Sequence, residues 1–431
     1  MRSPKILVRR IPFFYGWVIV GCAMCANFSR QGAAVATLSI FAVPMTAEFE
    51  WTRTAFSGAV SLGGLLGALI SPKVGVFVDR KGSGQVLAIG TLLIGMSAAA
   101  LSQTNSLIWF YVAFCLGRMS FSGPFEIAVT SAIANWFIVS RGRAMSLAAL
   151  AHSVGLTLIP IISFFAITIW NWRVGWLAVA SVVLLVGILP NLFLMVHRPE
   201  DLGLRPFSNR KSSDKLKNTL NKPPEVTEYS FTRREASKTP TFWVLVIFSI
   251  FIYPVQAGVS LHQAPHLIER GISLGVAATA VSSFSFMSAI GGLLFGQFEV
   301  KFGARRSLSF AAALMAVGTV LMIIVTDNLT AYMSAIVFGV GIGGLMTLLP
   351  VAWADAFGRE YIGSIRGITV PLQTLAQASG PLISGALYDL TGGYDVALRL
   401  FCVCSLIAMV MVLFAVKPEI TINKMFNQLK E

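Results

Sequence analysis

The sequence predicts an all-α integral membrane protein with twelve transmembrane helices arranged as two six-helix bundles. The chain is 55% hydrophobic but only 12% charged, and its mean hydropathy is +0.75. Soluble domains carry about 25% charged residues, so most of this surface is expected to face lipid. Apolar runs long enough to cross a bilayer recur along the chain, six before one polar stretch and six after it. The two groups of six also share an internal repeat.

A glycine-bounded motif carries the repeat. Residues 75–82 read GVFVDRKG, and residues 296–303, in the second half of the chain, read GQFEVKFG. Asp79 has lost its counterpart, because Val300 stands in its place. An arginine–glycine pair also recurs at a similar offset, which indicates that both halves of the chain follow one plan. The matched residues are Gly75 with Gly296, Arg80 with Lys301, Gly82 with Gly303, and Arg141, Gly142 and Gly155 with Arg366, Gly367 and Gly380.

The order of elements follows from the rule that a crossing helix needs about 20 apolar residues. The first run, after a basic head at 1–12, is too long for a signal peptide, and its removal would leave an odd number of helices. We therefore predict an N-terminal bundle (1–196), a polar linker (197–240) and a C-terminal bundle (241–431). The predicted helices are α1 13–40, α2 54–77, α3 86–103, α4 107–134, α5 141–168, α6 174–196, α7 241–265, α8 275–299, α9 306–326, α10 330–354, α11 364–388 and α12 395–416.

Basic residues predict the orientation of the chain. With the N-terminus inside, the cytoplasmic segments, including the linker, hold 26 of the 33 lysines and arginines, and the outer loops hold four. Positive charge accumulates on the cytoplasmic side of membrane proteins, so both termini are predicted to be cytoplasmic. The same distribution accounts for the net charge of +14 without a nucleic-acid partner. We expect a multi-pass protein of the bacterial inner membrane that is monomeric.

Cysteine and histidine predict no metal site or cofactor. The five cysteines fall within apolar runs, where thiols behave as small hydrophobic groups. His262 and His266 have the one-turn spacing of metal ligands, but the sequence offers no third ligand beside them. No nucleophile–base pair or cofactor-binding loop stands out, so we expect neither an enzyme nor a bound cofactor.

The motif between α2 and α3 resembles the loop motif G-x-x-x-D-R-x-G of the major facilitator superfamily, whose members have twelve helices in two halves. In α4, Gly117, Arg118 and Gly123 resemble a second motif of that superfamily. Within it, the chain is similar to the oxalate/formate antiporter and monocarboxylate porter group. The residues that carry this similarity are Tyr15-Gly16-Trp17, Trp136-Phe137, Arg141-Gly142-Arg143-Ala144 and Tyr388-Asp389-Leu390-Thr391-Gly392-Gly393-Tyr394.

The resemblance implies transport by alternating access of two bundles, with α1, α4, α7 and α10 around a central cavity. It also implies that the motif after α2 stabilises a closed inner gate, with Asp79 facing the positive N-terminal end of α11. A tight turn that carries cytoplasmic positive charge is the alternative explanation, and the two are compatible. The gating residues under this prediction are Gly75, Asp79, Arg80 and Gly82.

One departure from these porters concerns the charge that anchors the substrate. Monocarboxylate porters carry an aspartate and an arginine in α8, and oxalate porters carry a basic residue in α8 and in α11. Here residues 276–298 contain no charge, and α11 has only Arg366 at its start. The anchoring charge is therefore expected in another helix.

Two arginines deep in predicted helices are the candidate anchors. Arg30 lies about 17 residues into α1, and Arg118 lies about eleven residues into α4. A central arginine costs about 2.5–3.5 kcal/mol on insertion scales, so both are expected to face the cavity. A guanidinium can donate two hydrogen bonds to one carboxylate, and Asn27 lies one turn from Arg30. A structural or proton-linked network is the alternative role for Arg118.

Other polar residues within the helices are candidates for coupling and for further substrate contacts. Glu126, an acid deep in α4, either neutralises an arginine or carries a proton. His152, near the middle of α5, either packs through a hydrogen bond or carries a proton. The remaining predicted substrate contacts are polar side chains of α7 and α11, namely Tyr253, Gln256, Gln373 and Gln377.

Together these residues favour a secondary transporter of small organic anions, with monocarboxylates as the expected substrate and proton symport as the expected coupling. Anion exchange is the close alternative. A multidrug exporter would need an acid in the cavity, for which only Glu126 is available, and a non-transporting membrane sensor would be expected to carry a signalling domain, which is not visible. The expected partners are a small organic anion, protons and the lipid bilayer.

Overall fold

The computed structural model describes residue 8 and residues 11–51, 53–207 and 229–418. Within these ranges the chain is helical, and an isolated β-bridge joins Phe137 to Phe207. Residues 208–228 of the predicted linker lie outside the described residues. The described ends of the linker contain the short 3-10 helix Pro199–Leu202 and the short helix Arg233–Ala236.

The helices lie close to their predicted bounds, except that α1 ends at Phe49 rather than at 40 and that α1 and α4 are each interrupted. α1 consists of Gly16–Ser29 and Val35–Phe49, joined by the 3-10 turn Arg30–Ala33. α4 consists of Leu107–Phe121 and Pro124–Trp136. The expectation of one unbroken helix at each of these places is therefore wrong. The other helices are α2 Arg53–Lys81, α3 Ser83–Leu101, α5 Arg141–Ile169, α6 Trp172–Phe193, α7 Pro240–Glu269, α8 Leu274–Phe302, α9 Ala304–Ile323, α10 Asn328–Phe357, α11 Ile362–Thr391 and α12 Asp395–Met411.

The bounds of the helices repeat along the chain. α2 and α8 both contain 29 residues, and the alignment that matches the two loop motifs also matches the first residues of these helices. α3 follows Gly82 and α9 follows Gly303, and both glycines have a left-handed backbone, with φ of 93° and 78° and ψ of 157° and 158°. A residue with a side chain is strained at such φ values, so this turn requires glycine in both halves.

Nine helices of the described ranges are long and apolar enough to cross a membrane, namely α2, α3, α5, α6, α7, α8, α9, α10 and α12. The other predicted crossings are α1 and α4, which are interrupted, and α11, which is continuous over 30 residues but rich in polar side chains. These three helices carry Arg30, Arg118, Glu126 and Arg366. The three helices that are interrupted or rich in polar side chains are thus the ones that carry these four charged residues.

The chain forms two compact units. The first contains residues 1–133, 144–204 and 366–375, and the second contains residues 134–143, 205–365 and 376–431. The early part of α11 therefore belongs with the first unit, and the end of α4 with the start of α5 belongs with the second. The division of the chain into two bundles at the linker stays a prediction.

In the first unit, two glycines of α2 allow α4 to approach closely. A Cβ atom at Gly63 would lie 2.6 Å from Cβ of Arg118, and one at Gly67 would lie 2.5 Å from the carbonyl oxygen of Ser122. Real Cβ atoms do not come so close, so both positions require glycine. The interruption of α4 at Ser122 is therefore packed directly against the bare face of α2.

In the second unit, the equivalent contact between α8 and α10 has its glycines on the other helix. A Cβ atom at Gly339 would collide with the carbonyl oxygen of Phe284, and one at Gly343 would collide with that of Ser288. The alignment of the loop motifs pairs each of these four residues with its counterpart in the first unit. The close approach is thus kept in both units, while at these two matched positions the glycine lies on the earlier helix in the first unit and on the later helix in the second.

Candidate functional site

The interruption of α1 places Arg30 at the start of a 3-10 turn. At such a break, carbonyl oxygens lose their helical partners, and within a membrane they need other donors. The Gln31 carbonyl accepts a hydrogen bond from the Thr37 hydroxyl at 2.7 Å, and the Ala33 carbonyl accepts one from the Arg118 guanidinium at 3.2 Å. The turn is therefore held by side chains of α1 itself and of α4.

Arg30 and Arg118 stack on one aromatic ring. The guanidinium carbon of Arg30 lies 4.6 Å from the centre of the Phe121 ring, and that of Arg118 lies 4.3 Å from it. A cation over an aromatic face is attracted by about 0.5–2 kcal/mol, depending on how far water is excluded. Arg118 also uses a donor on a carbonyl, whereas Arg30 makes no hydrogen bond within the described ranges although its Nε is buried.

Glu126 lies just beyond the interruption of α4 and forms an ion pair with Arg366 of α11. The Arg366 side chain is fully buried, whereas 33% of the Glu126 side chain is exposed. Arg366 also donates a hydrogen bond to Oε1 of Gln373 at 3.1 Å. Gln373, a predicted substrate contact, therefore helps to hold Arg366 in the ion pair. Glu126 interacts electrostatically with Arg30 as well. Glu126 thus forms an ion pair with Arg366 of α11 and also attracts Arg30, the candidate anchor, electrostatically.

α1 and α5 meet along a row of polar contacts. Nδ2 of Asn27 donates to the Ala148 carbonyl at 2.9 Å, and Nε2 of Gln31 lies 2.7 Å from Nδ1 of His152. Next along α5, a Cβ atom at Gly155 would lie 2.9 Å from Cγ of Gln31, so the two helices touch there. Asn27, a predicted substrate contact, therefore already donates a hydrogen bond to the protein. His152 is held against α1 by Gln31.

α7 and α11 make an equivalent contact in the second unit. Nε2 of Gln377 donates to Oε1 of Gln256 at 2.7 Å, and a Cβ atom at Gly380 would lie 2.9 Å from the amide nitrogen of Gly258. Tyr253, the other predicted contact of α7, is buried. Two of the predicted glutamines are thus brought together, while Gln373 is bound to Arg366. The alignment that matches the two arginine–glycine pairs also matches Gln31 with Gln256, His152 with Gln377 and Gly155 with Gly380.

Sequence reasoning did not assign two buried arginines to a site, Arg141 and Arg366. Arg141, at the start of α5, donates to Asp355 of α10 at 2.8 Å and to the Phe137 carbonyl at 2.7 Å, and only 2% of its side chain is exposed. Arg366, at the start of α11, pairs with Glu126 of α4. Under the repeat these are reciprocal pairs, α5 with α10 and α11 with α4. The recurring arginine–glycine dipeptide was the signal that could have revealed them.

Glu299, near the end of α8, is a further residue that the sequence analysis missed. Its Oε2 accepts a hydrogen bond at 3.2 Å from the amide of Gly142, in the first turn of α5. Such amides have no partner within their own helix and favour a negative charge. Glu299 went unnoticed because the aligned repeat places Val300, not Glu299, opposite Asp79. A carboxylate of the second repeat nevertheless caps a helix.

The predicted gating motif lies in a tight turn at the end of α2. Gly82 has the left-handed backbone, Arg80 is exposed and Asp79 is half-buried. A Cβ atom at Gly367 would lie 3.3 Å from Cα of Gly75, so the start of α11 approaches the start of the motif within the first unit. A turn accounts for these observations, and gating by the motif stays a prediction.

The histidines with metal-ligand spacing each use one ring nitrogen in a hydrogen bond. Nδ1 of His262 lies 3.2 Å from the Tyr394 hydroxyl, and Nε2 of His266 lies 2.9 Å from the Met322 carbonyl. No group of three histidine, cysteine, aspartate or glutamate residues suited to a metal occurs in the part of the chain that the structure describes.

Nine long apolar helices in the described ranges, with arginines buried among the helices, indicate an integral membrane protein. The family model of the Major Facilitator Superfamily matches residues 19–369 and again 258–428, and the chain belongs to this superfamily. It is therefore a membrane transporter rather than an enzyme. The predicted family and the predicted fold, an all-α membrane protein with twelve helices, are both confirmed.

Similar proteins of known name or structure extend this result. The chain is 22% identical over 406 residues to monocarboxylate transporter 2 of Homo sapiens, which covers 88% of this chain and 81% of that protein. It is 26% identical over 347 residues to the membrane sensor protein UhpC of Escherichia coli (strain K12), which covers 74% and 78%. The solved structure of the proton:xylose symporter XylE has a TM-score of 0.73 at 16% identity, covering 94% of this chain and 96% of that chain. The last likeness shows the fold alone.

Proposed function

We propose that this protein is a secondary active transporter of small organic anions, with monocarboxylates as its substrate, and that it works by alternating access with proton symport. The environment of Arg30 carries the proposal. Three other buried or half-buried arginines, Arg118, Arg141 and Arg366, each donate to a protein oxygen. Arg30 makes no such bond to any described residue, so its guanidinium donors are available to a carboxylate.

The electrostatics around Arg30 favour an anionic ligand. A central arginine costs about 2.5–3.5 kcal/mol in a membrane, and a cation–π contact offsets roughly 0.5–2 kcal/mol of that cost without supplying a counter-charge. Arg118 adds a second positive charge on the same ring, while Glu126, the acid that interacts with Arg30, is already paired with Arg366. A ligand carboxylate would supply the missing counter-charge. The similarity to monocarboxylate transporter 2 supports this substrate class.

Coupling and the remaining contacts complete the proposal. Glu126 and His152 are the candidate proton carriers, and anion exchange without protons is the alternative mode. Tyr253 and the pair Gln256–Gln377 are proposed as substrate contacts of the second unit. The motif at 75–82 is proposed to stabilise the closed inner gate.

We further propose that the protein lies in the bacterial inner membrane as a monomer with both termini in the cytoplasm. The distribution of basic residues supports this orientation. A cysteine placed at Ser212, in the linker and outside the described residues, should then be unreactive towards an impermeant thiol reagent in intact cells. Labelling from outside would overturn the orientation.

A membrane sensor is the second candidate, because the chain is similar to UhpC over 74% of its length. Proteoliposomes distinguish the two functions. Uptake of a labelled panel of formate, acetate, pyruvate, lactate and oxalate, with and without a pH gradient, is expected for the transporter. Binding of a panel member without uptake would instead indicate a sensor, and export of cationic drugs alone would indicate a multidrug exporter.

The anchoring role is tested at Arg30 itself. Arg30→Ala should weaken binding of the transported carboxylate at least 10-fold, because charge-assisted hydrogen bonds contribute about 1.5–3 kcal/mol each. Arg30→Lys keeps the positive charge but loses the planar guanidinium, so its carboxylate affinity should lie between that of the wild type and that of Arg30→Ala. Isothermal calorimetry on purified protein gives the affinities, with Arg399→Ala, at an exposed arginine of α12, as the matched control. If Arg30→Ala binds carboxylates as the wild type does, the anchor is not Arg30, and Arg118 is the next candidate.

A further inference from the structure

The hydrogen bonds of Gln31 fix the protonation of His152. Nε2 of Gln31 lies 3.1 Å from the Asn27 carbonyl oxygen, which can only accept, so the atom facing it must be the amide nitrogen. The same nitrogen lies 2.7 Å from Nδ1 of His152. Nδ1 must therefore accept a hydrogen bond as well, and in the neutral ring the proton then resides on Nε2.

A positively charged His152 does not fit this arrangement. Protonation of Nδ1 would set an N–H group against the N–H group of Gln31. Rotation of the Gln31 amide would relieve that clash, but it would place Oε1 against the Asn27 carbonyl oxygen. Arg30 also interacts electrostatically with the ring, and a second positive charge beside it is unfavourable. The contact between α1 and α5 thus holds His152 neutral.

The remaining ring nitrogen, Nε2, is left without a described protein partner. Nε2 of His152 makes no hydrogen bond to a described residue. This atom is not fully buried. With its proton on Nε2, the ring has one N–H donor that no described residue accepts. The neighbouring charge is Arg30, the candidate anchor of the substrate.

We propose that His152 is a neutral hydrogen-bond donor to the substrate, which binds the carboxylate held by Arg30 through Nε2–H, and that Gln31 is the residue that positions it. This proposal rests on the proposed transport of organic anions. It removes His152 from the candidate proton carriers and leaves Glu126 as the remaining one.

The second half of the chain provides a template for testing this role. Gln256 and Gln377 occupy the positions equivalent to Gln31 and His152, and their side chains form a hydrogen bond of 2.7 Å. His152→Gln therefore introduces the same two side chains as a pair that the fold already contains, although in that pair Gln377, the residue equivalent to His152, is the donor. The inserted amide can accept from Gln31 through its oxygen and still offer an N–H donor. His152→Leu removes both functions.

Binding and transport are measured with whichever carboxylate of the panel (formate, acetate, pyruvate, lactate, oxalate) the wild type takes up. His152→Gln should change the dissociation constant less than 3-fold and retain accumulation driven by a pH gradient. His152→Leu should weaken binding roughly 10- to 100-fold, because a hydrogen bond to a charged group is lost. Loss of gradient-driven accumulation in His152→Gln with exchange intact would identify His152 as the proton carrier and overturn the proposal.

A spectroscopic measurement on the wild type does not depend on how the variants fold. The chain has four histidines, so ¹⁵N-histidine labelling gives few signals, and the His152 signals are those missing from the His152→Gln spectrum. At neutral pH the ring should show a protonated Nε2 and an unprotonated Nδ1, and the carboxylate should shift the Nε2 signal. A protonated Nδ1, or no shift on binding, would contradict the donor role.

These outcomes separate the two proposals. If the wild type binds no carboxylate, or if Arg30→Ala binds like the wild type, the proposed function or its anchor is wrong. If Arg30→Ala loses binding while His152→Leu retains it and remains folded by its thermal unfolding, only the role of His152 is wrong.

Discussion

α1 and α4 are interrupted, whereas α7 and α10, their counterparts in the second half of the chain, are each continuous over 30 residues. The charges follow the same division, because the interrupted helices carry them and the continuous ones have none at the matching positions. A break in a membrane helix frees carbonyl oxygens, and a nearby guanidinium can bind one of them, as Arg118 binds Ala33. Broken backbone and buried charge thus support each other. The positions compared are Arg30 with Val255, Arg118 with Gly339 and Glu126 with Thr347.

A second comparison concerns the ends of the helices that lie opposite the linker. In the first unit Glu48 of α1 pairs with Arg173 of α6 at 2.7 Å, and in the second Arg270 of α7 pairs with Asp395 of α12 at 2.5 Å. Both pairs join the ends of corresponding helices, the first to the sixth and the seventh to the twelfth, but the signs of their charges are exchanged. In both units the arginine also donates to a carbonyl at the end of the neighbouring α3 or α9. An ion pair thus links the first and last helices of each half, but the helix that carries the acid in one half carries the base in the other.

The largest loss of stability is expected from substitutions in the two buried ion pairs, Glu126–Arg366 and Arg141–Asp355. Glu126→Gln leaves the fully buried Arg366 without a counter-charge, which should lower the free energy of unfolding by about 3–5 kcal/mol. Asp355→Asn should cost less, because Arg141 keeps bonds to two backbone carbonyls, those of Phe137 and Ala134, whereas the described acceptors left to Arg366 are the side chains of Gln373 and Thr369. Thermal unfolding of both variants in the same detergent measures the difference.

The same variant also tests the coupling. If Glu126→Gln is as stable as the wild type but no longer accumulates substrate along a pH gradient, the carboxylate carries a proton and is not needed to neutralise Arg366. Equal destabilisation by both substitutions would remove the distinction between the pairs.

An intermediate effect is expected at the contact between α2 and α4. Gly63→Ala puts a methyl group 2.6 Å from Cβ of Arg118, so α4 must shift and the stacking of Arg118 on Phe121 must change. Overpacking of this kind costs about 1–3 kcal/mol. Thermal unfolding and carboxylate affinity measure the two consequences. Gly21→Ala, at a helical glycine with open space around it, is the matched control and should leave both unchanged or raise stability slightly.

The smallest effect is expected at the two exposed ion pairs, Glu48–Arg173 and Arg270–Asp395. Glu48→Arg should cost about 1 kcal/mol or less, because exposed ion pairs contribute little. Combination with Arg173→Glu should recover most of that loss, since the second unit already tolerates the opposite polarity. A double variant no more stable than Glu48→Arg alone would show that the sign of the charges matters after all. Unfolding at low and at high salt separates the charge effect from packing.

Helix order and the left-handed turns at Gly82 and Gly303 were accessible from the sequence, because apolar run length and glycine spacing determine both. The interruptions were not, since hydropathy is blind to backbone conformation. α4 did contain a local signal in its sequence, because Gly123 precedes a proline. In the structure Gly123 has a φ of 124°. α1 offered no proline at its break. Its turn depends on partners from α4 that only the folded chain brings near.

The site was less predictable than the fold because its ion pairs join distant parts of the sequence. Arg366 and Glu126 are 240 residues apart, and Arg141 and Asp355 are 214 apart. Position along a helix suggested that Arg141 and Arg366 lie at the cytoplasmic boundary, where arginine is common. Their burial follows from neighbouring helices that periodicity does not show. The middle positions of Arg30 and His152 were visible, but the pairing of His152 with Gln31 was not.

The glycines between α2 and α4, and between α8 and α10, restrict how the two halves of this chain can exchange parts. If α8 replaced α2, Phe284 would take the place of Gly63 and meet Arg118, so two large side chains would compete for one gap. If α10 replaced α4 instead, glycine would face glycine and leave a void. Only the transfer of both helices together preserves the fit. A duplicated sequence has therefore diverged into matched pairs of helices, and recombination between the halves would be tolerated by pairs rather than by single helices.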